Sequence, residues 1–200
     1  MRAAIPFMLL LLSGCTSMPI TTMYKLVTLE PLELDPGQLQ VAVRTDNNVV
    51  IGDNGVMMHW GYVSEDNSLT LDENYPVIVD RGTRPSSVLL DGIGNSEQLV
   101  IFSLRPEDTK SMRLFQSQVL AHQQQGGEGS GSFGLKFEQF CFIETPLAPI
   151  DTDMFLQTDS DEGFFVFVED IDLLEPDCDR CEIKEVPLCD SSSAEGSAGS

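Results

Sequence analysis

The residues with the most conspicuous chemistry are the sulfurs. Cys178-Asp-Arg-Cys181 is followed by Cys189, and a fourth cysteine, Cys141, stands alone upstream. Three chemistries use thiols at such spacings. Zinc takes up to four thiolates in a tetrahedral array, and a C-x-x-C pair with two further cysteines can supply them. A redox-active C-x-x-C needs a thiol of lowered pKa, from a helix N-terminus or nearby positive charge. Here Asp177, Asp179 and Glu182 crowd the pair and only Arg180 opposes them, so the redox reading is the weakest. Disulfides need an oxidising compartment, and four cysteines allow three connectivities. The choice between zinc and disulfides turns on where the chain resides.

The N-terminus speaks to that. Arg2 is a short positive segment, and Ala3 to Leu12 is an apolar run of the length of a secretory signal, too short to span a bilayer. Leu12-Ser13-Gly14-Cys15 follows directly. This stretch resembles the lipobox of bacterial lipoproteins: an aliphatic residue, two small residues and a cysteine. The resemblance implies cleavage before Cys15, acylation of its sulfur and a membrane anchor through the lipid. Thr16, in the position after the cysteine, implies sorting to the outer membrane on its periplasmic side. The layout beyond it, YKLVTLEPLELDP and then LQVAVR, resembles uncharacterised lipoproteins of Gram-negative bacteria in length and order, and this carries no active site with it. Export through an oxidising compartment favours disulfides over zinc for Cys141, Cys178, Cys181 and Cys189. A bridge from Cys141 to one tail cysteine would pin the tail across the sheet, and the other two would close a small loop.

Other residues invite chemistry with less support. Asp151, Asp153, Asp159, Asp161, Glu162 and Asp170 form an acidic stretch that suggests calcium. Read as an EF-hand from Asp159, it places Phe164 where Gly is needed and Asp170 where Glu is needed, and the motif fails. An irregular calcium site among the acids of 151–170 is the alternative; no other cofactor is expected. The two histidines, His59 and His122, lack a metal-type neighbour, and no G-x-S-x-G elbow accompanies them. Gly129-Ser-Gly131-Ser-Phe-Gly134 matches G-x-G-x-x-G, but a helix precedes it and a strand follows, the reverse of a dinucleotide fingerprint. It reads as a flexible connection.

Composition narrows the partners. The chain has 200 residues, with 32 acidic and 11 basic side chains and a net charge of −21. Nucleic acid and anionic lipid surfaces repel such a surface. From Glu144 to Asp190 there are 15 acids and two bases, Arg180 and Lys184. A hydrophobic content of 42% is that of a globular domain.

The elements that must hold these residues are mostly short strands. Leu39 to Arg44 alternates with period two, and so does GVMMHWGY, with Val56, Met58, Trp60 and Tyr62 on one face and Met57, His59 and Gly61 on the other. Asp53-Asn-Gly55 marks the turn before it. Further strands are expected at Tyr24–Leu29, Ser68–Leu71, Pro76–Val79, Gln98–Leu104, Leu135–Ile143 and Gly163–Val168. The run FFVFV reads as a central strand covered on both faces. One helix is expected over 106–125, opened by Pro106 and closed by Gly126-Gly127, with Met112, Phe115, Val119 and His122 on one stripe. The fold class is therefore mainly β, a sandwich-like domain with one packed α-helix and a disulfide-stapled tail. The divisions are a signal at 1–14, a lipid anchor and tether at 15–23, a β-domain at 24–175 and an acidic tail at 176–200 with a disordered end. No catalytic constellation emerges, which favours a non-enzymatic binding or scaffolding role in the envelope, with the membrane and an envelope protein as partners. The alternative is a cation-dependent periplasmic enzyme using the 151–170 acids with a histidine.

Overall fold

Alternation along Val56–Ser64 sets the geometry of the whole sheet. Val56, Met58, Trp60, Tyr62 and Ser64 are buried, and the residues between them are more open to solvent. A strand buries one face when its neighbours curl toward that face. In the computed structural model, which describes residues 32–53, 55–81, 86–172 and 188–190, they do. The described residues form nine strands: β1 (Gln40–Asp46), β2 (Val49–Ile51), β3 (Val56–Ser64), β4 (Thr70–Asp80), β5 (Glu97–Leu104), β6 (Gly129–Phe137), β7 (Phe140–Phe142), β8 (Asp151–Gln157) and β9 (Phe165–Asp172). Seven form one antiparallel sheet in the order β6-β3-β4-β5-β1-β8-β9, and β2 pairs with β7 as a separate ribbon.

The sheet bends at β4. Residues 70–76 of that strand pair with β3, and residues 77–80 pair with β5. Pro76 sits at the switch. It has no N–H to donate, so a position where the β5 ladder has not yet begun is where it fits. A strand that changes partners in this way makes the corner between two halves of a curled sheet. The mainly-β architecture with a packed helix is thus one sheet wrapped on itself. Ser68–Leu71 and Pro76–Val79, expected as separate strands, belong to the region of this one long strand.

The concave face holds the core. Each of the seven strands contributes to a single apolar cluster, which includes Val41, Val43, Met58, Trp60, Tyr75, Val100, Phe102 and Leu156. Helix α2 (Asp108–Gln124) packs into it with Met112, Phe115 and Val119, and Phe115 stands edge-on to Trp60 at 6.4 Å. Gln116 is also buried and donates to the Leu34 carbonyl at 2.9 Å. The convex face carries a smaller cluster of Ala42, Leu89 and Phe155, with Leu99, Ile101, Phe164 and Val166 around it. Leu89 comes from the one-turn helix α1 (Ser87–Leu90), which the sequence did not announce.

Two expectations need correction. The FFVFV strand lies at the end of the sheet order, not at its centre. The expected cover on both faces is present and explains its uninterrupted apolar character: Phe165 and Phe167 pack into the main core while Phe164 and Val166 pack on the convex cluster. The glycine-rich 126–134 segment is not a loose connection either. From Gly129 it is β6, laddered to β3 through nine residues. A Cβ on Gly129 would lie 2.6 Å from the Tyr62 ring, so glycine there lets the strand pass against a buried tyrosine. The expected strand Tyr24–Leu29, the signal, the tether and most of the acidic tail lie outside the described residues.

Candidate functional site

Cys141 is the middle residue of β7, and its disulfide partner is Cys189. The Cα atoms are 5.0 Å apart, a normal separation for a bridge. The tail arrives beside β7 as well: Leu188 bridges Phe142 in parallel, and Cys189 N–H donates to the Phe142 carbonyl at 2.9 Å. The bridge therefore fastens residues 188–190 alongside β7 of the β2–β7 ribbon. Cys15, Cys178 and Cys181 lie outside the described residues.

The ribbon covers an apolar space. Val43 and Thr45 of β1, Val49 and Ile51 of β2, Phe137 at the end of β6 and Phe140 of β7 line a cavity of about 160 Å³. Among the described lining residues the only polar side chain is that of Thr45, and its hydroxyl is bonded to the Thr152 hydroxyl at 2.9 Å. Polar bonds tie its margins. Gln98 donates its side-chain amide to the Asp46 carbonyl at 3.1 Å and also to that of Val49. Arg81 donates to the Ile51 carbonyl and to Asp53 Oδ1, the latter at 2.5 Å. Asn48 exchanges bonds with the backbone of Glu144 at 2.8 and 2.7 Å. These bonds hold the ribbon in place at the margin of the apolar space.

The acids of 151–170 are placed on β8, on β9 and in the turn between them. Asp153 uses one oxygen for Arg44, with Nη2 at 2.5 Å and Nε at 3.1 Å, and the other for the Asp170 N–H at 3.0 Å. Asp170 has φ +57°. The ladder between β8 and β9 slips here, between Thr152 and Met154. Asp159 accepts the Asp161 N–H at 2.7 Å and closes the turn before β9. Among the described residues, no three His, Cys, Asp or Glu side chains converge on a metal-sized point.

The histidines are drawn into separate contacts, away from these acids. His59 Nε2 lies 3.1 Å from Asp72 Oδ1 across β3 and β4. His122, in the last turn of α2, lies 3.2 Å through Nδ1 from the Tyr62 hydroxyl and 3.3 Å through Nε2 from the Ser68 hydroxyl. A Cβ on Gly127 would enter the imidazole, so the glycine after the helix makes room for the ring. Ser68 and His122 have the reach of a nucleophile and its base, but Nδ1 faces a phenol where catalysis wants a carboxylate to orient the ring. The carboxylate of this turn, Asp66, accepts the Ser68 N–H at 3.0 Å and the Ser64 hydroxyl at 2.8 Å. Those bonds, the Ser68 N–H foremost, hold its pKa down to about 2. The cluster docks the end of α2 on the β3–β4 turn.

No residue of the cavity was singled out from sequence. A space between strands distant in sequence has no local signal. No helix among the described residues is long and apolar enough to cross a membrane. No protein-family model, curated protein or solved structure matches the chain.

Proposed function

We propose that the protein is a lipid-anchored component of the bacterial cell envelope, held through Cys15 on the periplasmic face of the outer membrane, and that it works by binding. The observation that carries this is the Leu12-Ser13-Gly14-Cys15 sequence placed directly after the apolar run Ala3 to Leu12. The Cys141–Cys189 bridge supports it, because disulfides persist in oxidising compartments and are rare in the cytosol. A multiply acylated cysteine anchors stably, since each buried methylene contributes about 0.8 kcal/mol. The histidine contacts support binding over catalysis: each imidazole ties one structural element to another.

The test is metabolic labelling with an alkyne-bearing palmitate in a Gram-negative host, with fractionation of the envelope. Wild-type protein should take up label and sediment with outer membranes. Cys15→Ser should lose the label. Unlabelled wild-type protein in the soluble fraction would overturn the reading.

A further inference from the structure

We propose that the cavity beneath the β2–β7 ribbon is a binding site for a hydrocarbon group of about six carbons, because about 150 Å³ of apolar space accommodates a benzene-sized solute. This gives the binding reading a ligand class; it does not depend on the anchor at Cys15.

Size, lining and fastening support it together. The space is about 160 Å³, walled by Val49, Ile51 and Phe140 of the ribbon, with Ile51 and Phe140 cross-strand neighbours, and by Val43 of β1 and Phe137 of β6. The Thr45 hydroxyl is bonded to that of Thr152. Thr45 is the single polar side chain among the described lining residues, so a polar group would lose its water and regain little in return. An apolar group loses only water contacts and gains dispersion with the walls. The bonds from Gln98, Arg81 and Asn48 pin the ribbon at its margin and leave its inner face free to receive the guest. The disulfide lies on the same ribbon, one residue from Phe140. The occupant is recognised by shape and apolarity, and two sources carry that chemistry: a free small aromatic, or the end of an alkyl chain.

The experiment is a titration of the full chain, with methyl groups of Val and Ile labelled with carbon-13, against benzene and separately against 1-hexanol. Saturable shifts confined to the Val43, Val49 and Ile51 methyls are expected. Saturation by benzene alone assigns the site to small aromatics, and saturation by hexanol alone assigns it to alkyl chain ends; either upholds the site. Val49→Phe should fill the space and abolish the saturable shifts. Val43→Ile, which adds one methylene, should weaken them severalfold and keeps the test open should the larger variant fail to fold. No saturable shift with either probe, or shifts spread over the core and unchanged in Val43→Ile, would overturn the proposal. Palmitate labelling at Cys15 is unaffected by either result, so failure of the cavity and failure of the anchor are read separately.

Discussion

Phe133 and Phe167 stand on the first and last strands of a seven-stranded sheet, and their ring centroids are 6.2 Å apart at 68°. Strands six places apart in a flat sheet would be separated by nearly 30 Å at about 4.8 Å per step. The contact therefore measures how far the sheet has curled. Its closing partners are the bend at Pro76 and the insertion of α2 on the concave side. Phe133 also stacks on Trp60 at 4.9 Å, so the only tryptophan reports on this closure.

Truncating either ring should loosen the closure. Phe133→Ala and Phe167→Ala are each expected to cost about 2–3 kcal/mol, below the usual range for a fully buried Phe because both are only partly buried. A double-mutant cycle should give a coupling of about 0.5–1.5 kcal/mol. Urea unfolding followed by Trp60 emission measures all three. Strict additivity would mean that the two edges pack independently.

The Cys141–Cys189 bridge spans 48 residues of sequence. Closing a loop of that length removes unfolded-state entropy worth about 4 kcal/mol at room temperature in the chain-entropy account. Cys141→Ser with Cys189→Ser should lower stability by about 2–4 kcal/mol, and the paired variant is a cleaner test than reductant because it leaves Cys178 and Cys181 alone. Limited proteolysis should then cut near Leu188 first. An unchanged unfolding midpoint would show that the tail is held by other means.

Arg44 and Asp153 face each other in register on β1 and β8, with side chains 13% and 15% exposed. The same guanidinium donates to the Asp91 carbonyl at 2.6 Å and lies 5.4 Å from the Phe155 ring centre. Removing one member of a largely buried pair strands the other, which typically costs about 3–5 kcal/mol. Asp153→Ala should therefore destabilise by about 2–4 kcal/mol, and Asp153→Asn by less because one acceptor oxygen survives for the Asp170 N–H. Thermal unfolding ranks the two. Equal losses would mean that charge contributes little there.

Where the sequence was legible, the signal was local and periodic. Met58, Trp60 and Tyr62 alternate as read, and the helix expected over 106–125 runs from Asp108 to Gln124. Cys141 does meet a tail cysteine. What was illegible depends on partners far along the chain. Gly129 to Gly134 looks flexible because glycine is locally permissive, but the segment is laddered to β3, and a buried Tyr62 on that strand demands glycine at Gly129. Phe164 to Val168 looks central because it is apolar throughout, but one cluster on each side of the sheet explains that equally well. The cavity joins residues of β1, β2, β6 and β7 that lie far apart in sequence, so no local pattern marks it.

Tyr75 supplies a test in alkali. Burial, and then the charges of Glu73 and Asp108, push its phenol up to about 12 from the ordinary 10.0. The folded state thus holds this proton more tightly than the unfolded chain does. The stabilisation is fully present below pH 10, and it is lost as pH rises from about 10 to about 12. Folded protein should show one tyrosinate transition at 295 nm that lags the unperturbed range. Tyr75→Phe should remove that transition and flatten the fall in stability between pH 10 and 12 relative to wild type, because phenylalanine has no proton to lose. Tyr75 opposes Met58 across β4 and β3, in the middle of the concave core. A wild-type profile that Tyr75→Phe leaves unaltered would mean that this ring meets solvent before the fold gives way.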